Sequence, residues 1–254
     1  MPNKFKDLFS GHATDYSTYR PGYPTELFQY IFSVSAGRDV AWDCATGNGQ
    51  AARGLLPYFK QIVATDASDQ QIANAYPHEK IQYHVATAYD SALQTGSVDT
   101  VTVAQALHWF DFPAFFTEAD RVLKPRGILA VWCYMVPMIT EEINPIIRRF
   151  WGEIVGPYWP PERKYVDEGY ETIPFPYPLL HSPEFEARHY WDLDRFLGYL
   201  STWSASKRYE QSTHTDPVRL IEPELRQVWN DPDQEKLIHW PIHLKAARKP
   251  SSGE

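Results

Sequence analysis

Apolar side chains recur along this chain in two rhythms. In TELFQYIFSV, residues 25–34, Leu27, Phe28, Tyr30, Ile31 and Val34 fall three and four apart, which gathers them on one helical face, and Pro24 with Thr25 supplies a helix-start signal. The next segments run apolar without a break and then stop at polar or glycine-rich turns. DVAWDCA reads as a first strand, residues 50–58 as a helix, and QIVATDAS as a second strand ending at Asp66. The pattern predicts a further helix over 68–76, strands at IQYHVATA and SVDTVTVAQAL, a helix over 113–123, and a strand GILAVWCYM after the turn KPRG. Strands alternating with helices across short loops predict a doubly wound, mostly parallel α/β sheet whose ligands lie at the carboxyl ends of its strands. That rule points to residues Ala45, Thr46, Gly47, Asn48 and Gly49, to Asp66, Ala67 and Ser68, to residues 87–90 beginning with Thr87 and Ala88, and to 105–110.

The rhythm breaks near Pro137. Residues 137–182 mix one helix with a proline- and aromatic-rich passage, which reads as an inserted substrate cap. The alternation then resumes with FEARHYWDLD as a strand, residues 193–209 and 216–230 as two helices, and LIHWPIHLKAARK as a last strand. The expected organisation is a single domain over 1–254: an N-terminal helical lid at 1–36, a sheet core at 37–136 and 183–249, and a frayed KPSSGE. The 254 residues, 43% hydrophobic, suffice for one such core and hardly for two.

Charge and composition narrow the ligand. The 32 acidic and 24 basic side chains leave a net charge of −8, and no basic run tracks a phosphate backbone, so a small molecule is favoured over nucleic acid. Cys44 and Cys133 lie far apart in apolar runs, which argues against a disulfide framework or structural zinc and fits a reducing cytoplasm. No apolar run approaches the roughly 18–20 residues of a membrane span, and MPNKFKDLFSGHATDY has no signal-peptide core. Nine Trp and sixteen Tyr are more aromatic surface than a core usually needs, and some are expected to line a pocket. Oligomeric state leaves no mark in the sequence.

The loop in VAWDCATGNGQAARGLL, residues 40–56, admits three readings. It could be a tight turn alone, with Gly47 and Gly49 there for positive φ. It could hold a dinucleotide pyrophosphate, with Asp66 on the ribose. The third reading rests on Asp43, a carboxylate at the end of a buried strand just before the loop, which a pyrophosphate would not favour and a cationic ligand would. S-adenosylmethionine is such a ligand, positive at sulfur and at its amino group, and Asp66 offers two oxygens to its ribose hydroxyls.

With these residues in place the chain resembles the class I S-adenosylmethionine-dependent methyltransferases over roughly residues 10–135. DCATGNG is similar to their D-x-G-x-G-x-G loop, with Ala45 at the first glycine position; alanine keeps such a turn if its φ is negative. YSTYRPGYP, SVDTVTVAQALHWFD and RVLKPRGILAV look like the small-molecule branch that includes trans-aconitate methyltransferases. The resemblance implies seven strands with the last antiparallel, Gln105 and Ala106 bordering the cofactor, and Tyr16, Tyr19 and Arg20 folding over its amino-acid end. TAYD, with Thr87 and Tyr89, departs from the glycine-then-acid pattern of relatives after the third strand.

Methyl transfer from a sulfonium needs alignment and exclusion of water more than covalent help. His108, followed by Trp109 and Phe110, stands where the acceptor should sit and is read either as a general base or as packing beneath the cap. Arg20 is read as a bidentate carboxylate contact or as a surface ion pair. Trp151, Tyr158, Trp159, Arg163 and Lys164 are candidates for an aromatic wall with a cationic rim, Tyr16 and Trp109 for further acceptor contacts. Only Asp111 lies near enough to serve a catechol-type metal, so no metal is expected, and AQALHWF replaces the proline-rich run of base methyltransferases. The expected activity is methyl transfer to a small-molecule acceptor, preferably at oxygen, with a carboxylate among the candidates. The alternatives are an NAD(P)-dependent oxidoreductase and a non-catalytic binding protein on a methyltransferase fold.

Overall fold

The structure, a computed structural model, describes residues 19–251. Tyr16 and the first half of the expected lid, residues 1–18, lie outside the described residues.

Seven strands form one sheet: β1 (Val40–Cys44), β2 (Gln61–Asp66), β3 (Ile81–Val85), β4 (Val98–Ala104), β5 (Leu123–Tyr134), β6 (Phe185–Trp191) and β7 (Lys236–Arg248). Their spatial order is β3-β2-β1-β4-β5-β7-β6. Pairs among the first five are parallel, while β7 runs antiparallel to both β5 and β6. The expected doubly wound, mostly parallel sheet is what the chain adopts, and its antiparallel last strand is inserted between β5 and β6.

The strand sequences are apolar on both faces because both faces are covered, as a parallel sheet requires. On β5, Ile128, Ala130 and Trp132 enter one core, and Leu129, Val131 and Cys133 the other. The first core lies under α1 (Thr25–Val34), α2 (Gln50–Leu55), α7 (Leu193–Ser201) and α9 (Glu222–Trp229); the second lies under α4 (Phe112–Val122) and takes in Val166 and Tyr170. A two-residue period therefore sends alternate side chains to opposite layers. Between α2 and α4, the short α3 (Asp69–Ala73) follows β2 and is capped by Ser68, whose Oγ accepts from the Gln71 N–H.

Residues 137–182 contain α5 (Asn144–Arg149), a π-helical turn (Phe150–Ile154), a 3₁₀ turn (Gly156–Tyr158) and α6 (Arg163–Asp167). Three elements differ from the sequence expectation. KPRG, expected as a turn, is continuous with β5, where Arg126 at φ +66° and a register shift against β4 between Val98 and Thr100 take up the irregularity. Residues 193–209 form two helices, because Trp203 is extended (φ −65°, ψ 137°) and wedged among Phe150, Trp159 and Tyr199 before α8 (Ser204–Thr213) begins. The segment 216–230 likewise divides into a 3₁₀ turn (Pro217–Leu220) capped by Asp216 and α9, whose first turn accommodates Pro223 without losing an intrahelical bond.

Candidate active site

The carboxyl ends of β1, β2 and β4 are adjacent in the sheet, and the sequence places a carboxylate, a second carboxylate and an amide there. Asp43 is completely buried at the end of β1. Its Oδ2 accepts from Thr46 Oγ1 at 2.5 Å and from the Ala52 N–H at 3.0 Å, and its Oδ1 accepts from Thr102 Oγ1 at 2.8 Å. Burial raises its pKa to about 6 despite these donors. Asp43 thus clasps the loop between β1 and α2 from within, and any pull it exerts on a ligand is that of a buried charge.

Asp66, ending β2, accepts the Gly47 N–H on Oδ2 at 2.8 Å and the Ser68 N–H on Oδ1 at 2.9 Å. The two carboxylates hold the loop from both sides. Gly49 has φ +87°, and a side chain there would stand 2.2 Å from the Tyr83 hydroxyl, so two constraints demand glycine. Ala45 corrects an expectation: its φ is +53°, so alanine occupies the left-handed region rather than avoiding it, at a cost of about 1–2 kcal/mol. Asn48 is half-buried, and its carbonyl accepts from the Tyr76 N–H at 3.1 Å.

Around this loop are two buried amide oxygens with no hydrogen-bond partner among the described residues, Gln71 Oε1 and Gln105 Oε1. A methyl group added at Gly47 would meet only Gln71 Oε1 within 4 Å, which leaves room beside the loop. Gln105 also has a left-handed φ of +54°, held by its N–H to the Trp132 carbonyl at 2.9 Å. Strain of this kind persists where the surroundings over-determine it, typically at functional positions. A ligand suited to this cradle brings hydrogen-bond donors to the amides and positive charge to the carboxylates. Thr87 is exposed and bridges to Asp90, Ala67 is half-buried between Asp66 and Ser68, and Ala88 and Ala106 pack into the second core.

A cleft enclosing about 620 Å³, open solvent at its mouth included, lies past β4 and β5. Gln105 stands on its wall, so the cleft adjoins the cradle. Arg20 Nη1 donates to the Tyr134 hydroxyl at 2.5 Å and Nη2 to the Thr202 carbonyl at 3.2 Å, with the guanidinium 5.7 Å from the Tyr199 ring. Facing it, Arg163 donates from Nε to Asp167 at 2.7 Å and stacks 4.3 Å from the Trp159 ring centre. The Trp159 indole N–H is in turn donated to the Trp151 carbonyl within the π-helical turn, at 3.1 Å. His108 and Trp109 line the same cleft on a 3₁₀ turn (Leu107–Trp109). Low polarity around His108, with Arg163 adding repulsion, lowers its pKa to about 3, so the ring is neutral at physiological pH.

Trp109, Trp159 and Arg163 are brought to the cleft as the sequence suggested. Trp151 and Tyr158 stand behind that wall, the latter packed on Tyr209, and Lys164 is exposed. Tyr19 packs against α7 at Gly198. Asp111 caps α4 through the Ala114 N–H. Sequence reasoning missed Gln71, Tyr134, Tyr170, Tyr199 and Trp203. Tyr134 carried a usable signal, since it ends a predicted strand at the ligand-bearing edge; Tyr199, on α7, and Trp203, between α7 and α8, carried none, reaching the cleft only through packing.

A methyltransferase domain family matches residues 42–131, from β1 to β5. A Dictyostelium discoideum protein assigned as a methyltransferase is 32% identical over 255 residues, covering 98% of this chain and 97% of its own. A Saccharomyces cerevisiae protein assigned as an S-adenosylmethionine-dependent methyltransferase is 29% identical over 166 residues, 60% of this chain and 56% of its own. Among solved structures, one assigned as a type II methyltransferase from Anaeromyxobacter dehalogenans superposes with a TM-score of 0.86 at 39% identity, over 91% of this chain and 99% of that one. In this chain the cradle of two carboxylates and two buried amide oxygens fits the hydrogen-bond donors and positive charges of S-adenosylmethionine. The chain belongs to the class I S-adenosylmethionine-dependent methyltransferases.

Proposed function

We propose that this enzyme methylates a carboxylate oxygen of a small-molecule acceptor seated in the cleft, with residues 137–182 acting as the cap over it. The observation that carries this reading is the character of the cleft wall. Among the described residues lining it there is no acid, its one imidazole has a pKa lowered to about 3, and two guanidinium groups, Arg20 and Arg163, face it. A phenol or an ammonium must lose a proton to become a nucleophile, and this wall offers no group suited to take it. A carboxylate needs no base and is matched by guanidinium.

When bound, S-adenosylmethionine supplies an electrophilic methyl group on a sulfonium. In our reading Asp43 and Asp66 hold the loop from Ala45 to Gly49 and supply negative potential, while Thr46, Asn48, Ala67, Ser68, Thr87, Ala88 and Ala106 shape the surrounding surface. Gln71 and Gln105 accept hydrogen bonds. Arg20, fixed by Tyr134, and Tyr19 behind it border the cofactor's amino-acid end. Arg163 orients the acceptor, and Trp109, Trp159 and Trp203 exclude water, which strengthens each of these electrostatic contacts.

The purified protein, methyl-labelled cofactor and fractionated small-molecule pools test this reading. Carboxyl methyl esters release volatile methanol in mild alkali. The expected product loses its label that way; an alkali-stable product, as from a phenol or amine, would overturn the proposal.

A further inference from the structure

His108 and Tyr170 are 62 residues apart, yet the Tyr170 hydroxyl lies 3.1 Å from His108 Nδ1. The main chain departs from its usual conformations to deliver that phenol. Helix α6, which carries Arg163 into the cleft, is followed by a turn with Gly169 at φ +58° and Tyr170 at φ +64°, and the Tyr170 N–H turns back to the Tyr165 carbonyl at 2.8 Å. A side chain at Gly169 would stand 2.6 Å from His243 Nδ1, so the turn requires glycine there. A bulky aromatic residue in the left-handed region is strained, and here it is overruled by burial: Tyr170 is 1% exposed in the second core.

The hydrogen bond can run in two directions, and the surroundings choose between them. If Nδ1–H donated to the phenol oxygen, the phenol's own hydrogen would be buried without an acceptor, because Nδ1 is the one acceptor that the described residues offer it. A buried donor left unmade is costly, whereas donation from the phenol to Nδ1 satisfies both groups. The ring proton then resides on Nε2, which makes no hydrogen bond among the described residues, on a side chain that lines the cleft.

We infer that Tyr170 is a positioning residue that locks His108 in the Nε2–H tautomer, making it a neutral hydrogen-bond donor to the acceptor carboxylate opposite the Arg163 cation. The inference rests on the carboxylate reading for what the donor grips, but not for the tautomer. His108 as a neutral donor and Arg163 as a guanidinium give the anion two different contacts, and residues 163–170 set both, Arg163 directly and His108 through Tyr170. Protonating His108 would break the arrangement, since the phenol would lose its acceptor; the depressed basicity of the ring agrees with that.

The test is nitrogen-15 NMR of the histidine rings, joined to kinetics. In the unsubstituted protein the His108 ring is expected with its proton on Nε2. Tyr170→Phe should release it to a tautomer mixture, raise the acceptor KM about three- to tenfold, the effect of one hydrogen bond, and leave kcat and cofactor Kd within about twofold. His108→Gln, whose amide nitrogen reproduces an Nε2 donor, should retain more activity than His108→Ala and make a second change at Tyr170 nearly silent. A proton on Nδ1 in the unsubstituted protein, or a tautomer unmoved by Tyr170→Phe, would overturn the inference. An alkali-stable methyl product accompanied by the Nε2–H tautomer would remove the carboxylate reading and leave the role of Tyr170 standing.

Discussion

The two halves of the site are built from different materials. Around the loop after β1, main-chain N–H groups, glycines and two carboxylates dominate, and every contact lies between segments at the ends of neighbouring strands. Around the cleft every contact is made by a side chain, several of them to other side chains as far apart as Arg20 and Tyr134 or His108 and Tyr170, and the formal charge is positive. A half made of backbone and strand ends suits a ligand that never varies. A half made of large side chains on helices and turns can be re-cut for a different acceptor while the sheet stays as it is.

That division is broken most directly by a pair of substitutions. Asp66→Ala should weaken cofactor binding about 100-fold, roughly 3 kcal/mol, while the acceptor KM at saturating cofactor stays within about twofold. Arg163→Ala should do the reverse, raising acceptor KM about 10–100-fold with calorimetric cofactor affinity unchanged. If either variant moves both constants equally, the halves are one coupled site.

A smaller effect comes from the charge on Asp43. Its carboxyl is raised to about 6, so acid neutralises it well before an ordinary aspartate, and a neutral Asp43 no longer attracts a positive ligand. Cofactor affinity is therefore expected to be flat above about pH 7 and to fall by up to about tenfold per pH unit below about pH 6. Asp43→Asn should flatten that profile in isothermal titration.

The smallest effect concerns Ala45. Ala45→Gly relieves a left-handed alanine and should stabilise the protein by about 1 kcal/mol, or roughly 2–4 °C in calorimetric Tm. A lower Tm would mean that the methyl group contributes packing worth more than the strain.

The same contrast explains what could be read from the chain. The helix Thr25–Val34 and the strands up to β5 were legible because one amphipathic face or one buried run decides each of them. Asp43 and Asp66 stood out as candidate site residues because a carboxylate at the end of an apolar run is costly without a purpose. The groups that Asp43 clasps within the fold, Thr46, Thr102 and the Ala52 N–H, were not legible, because an apolar run ending in a carboxylate does not record which donors reach it. The break at Trp203 follows from its packing on Phe150, some fifty positions earlier, which no local propensity records. Tyr170 was hidden for the same reason, and its left-handed backbone runs against what a tyrosine would choose alone.

The last strand in chain order occupies the interior of the sheet, and this has a consequence for biosynthesis. Strand β6 pairs with β7 and not with β5, so residues 185–191 have no place in the sheet until residues 236–248 have left the ribosome. A nascent chain halted before that point displays two hydrogen-bonding edges, on β5 and β6, with Trp191 and Tyr134 beside them, and is a substrate for chaperones or for sticking to its neighbours. A stop codon before residues 236–248 would thus remove the keystone of the sheet.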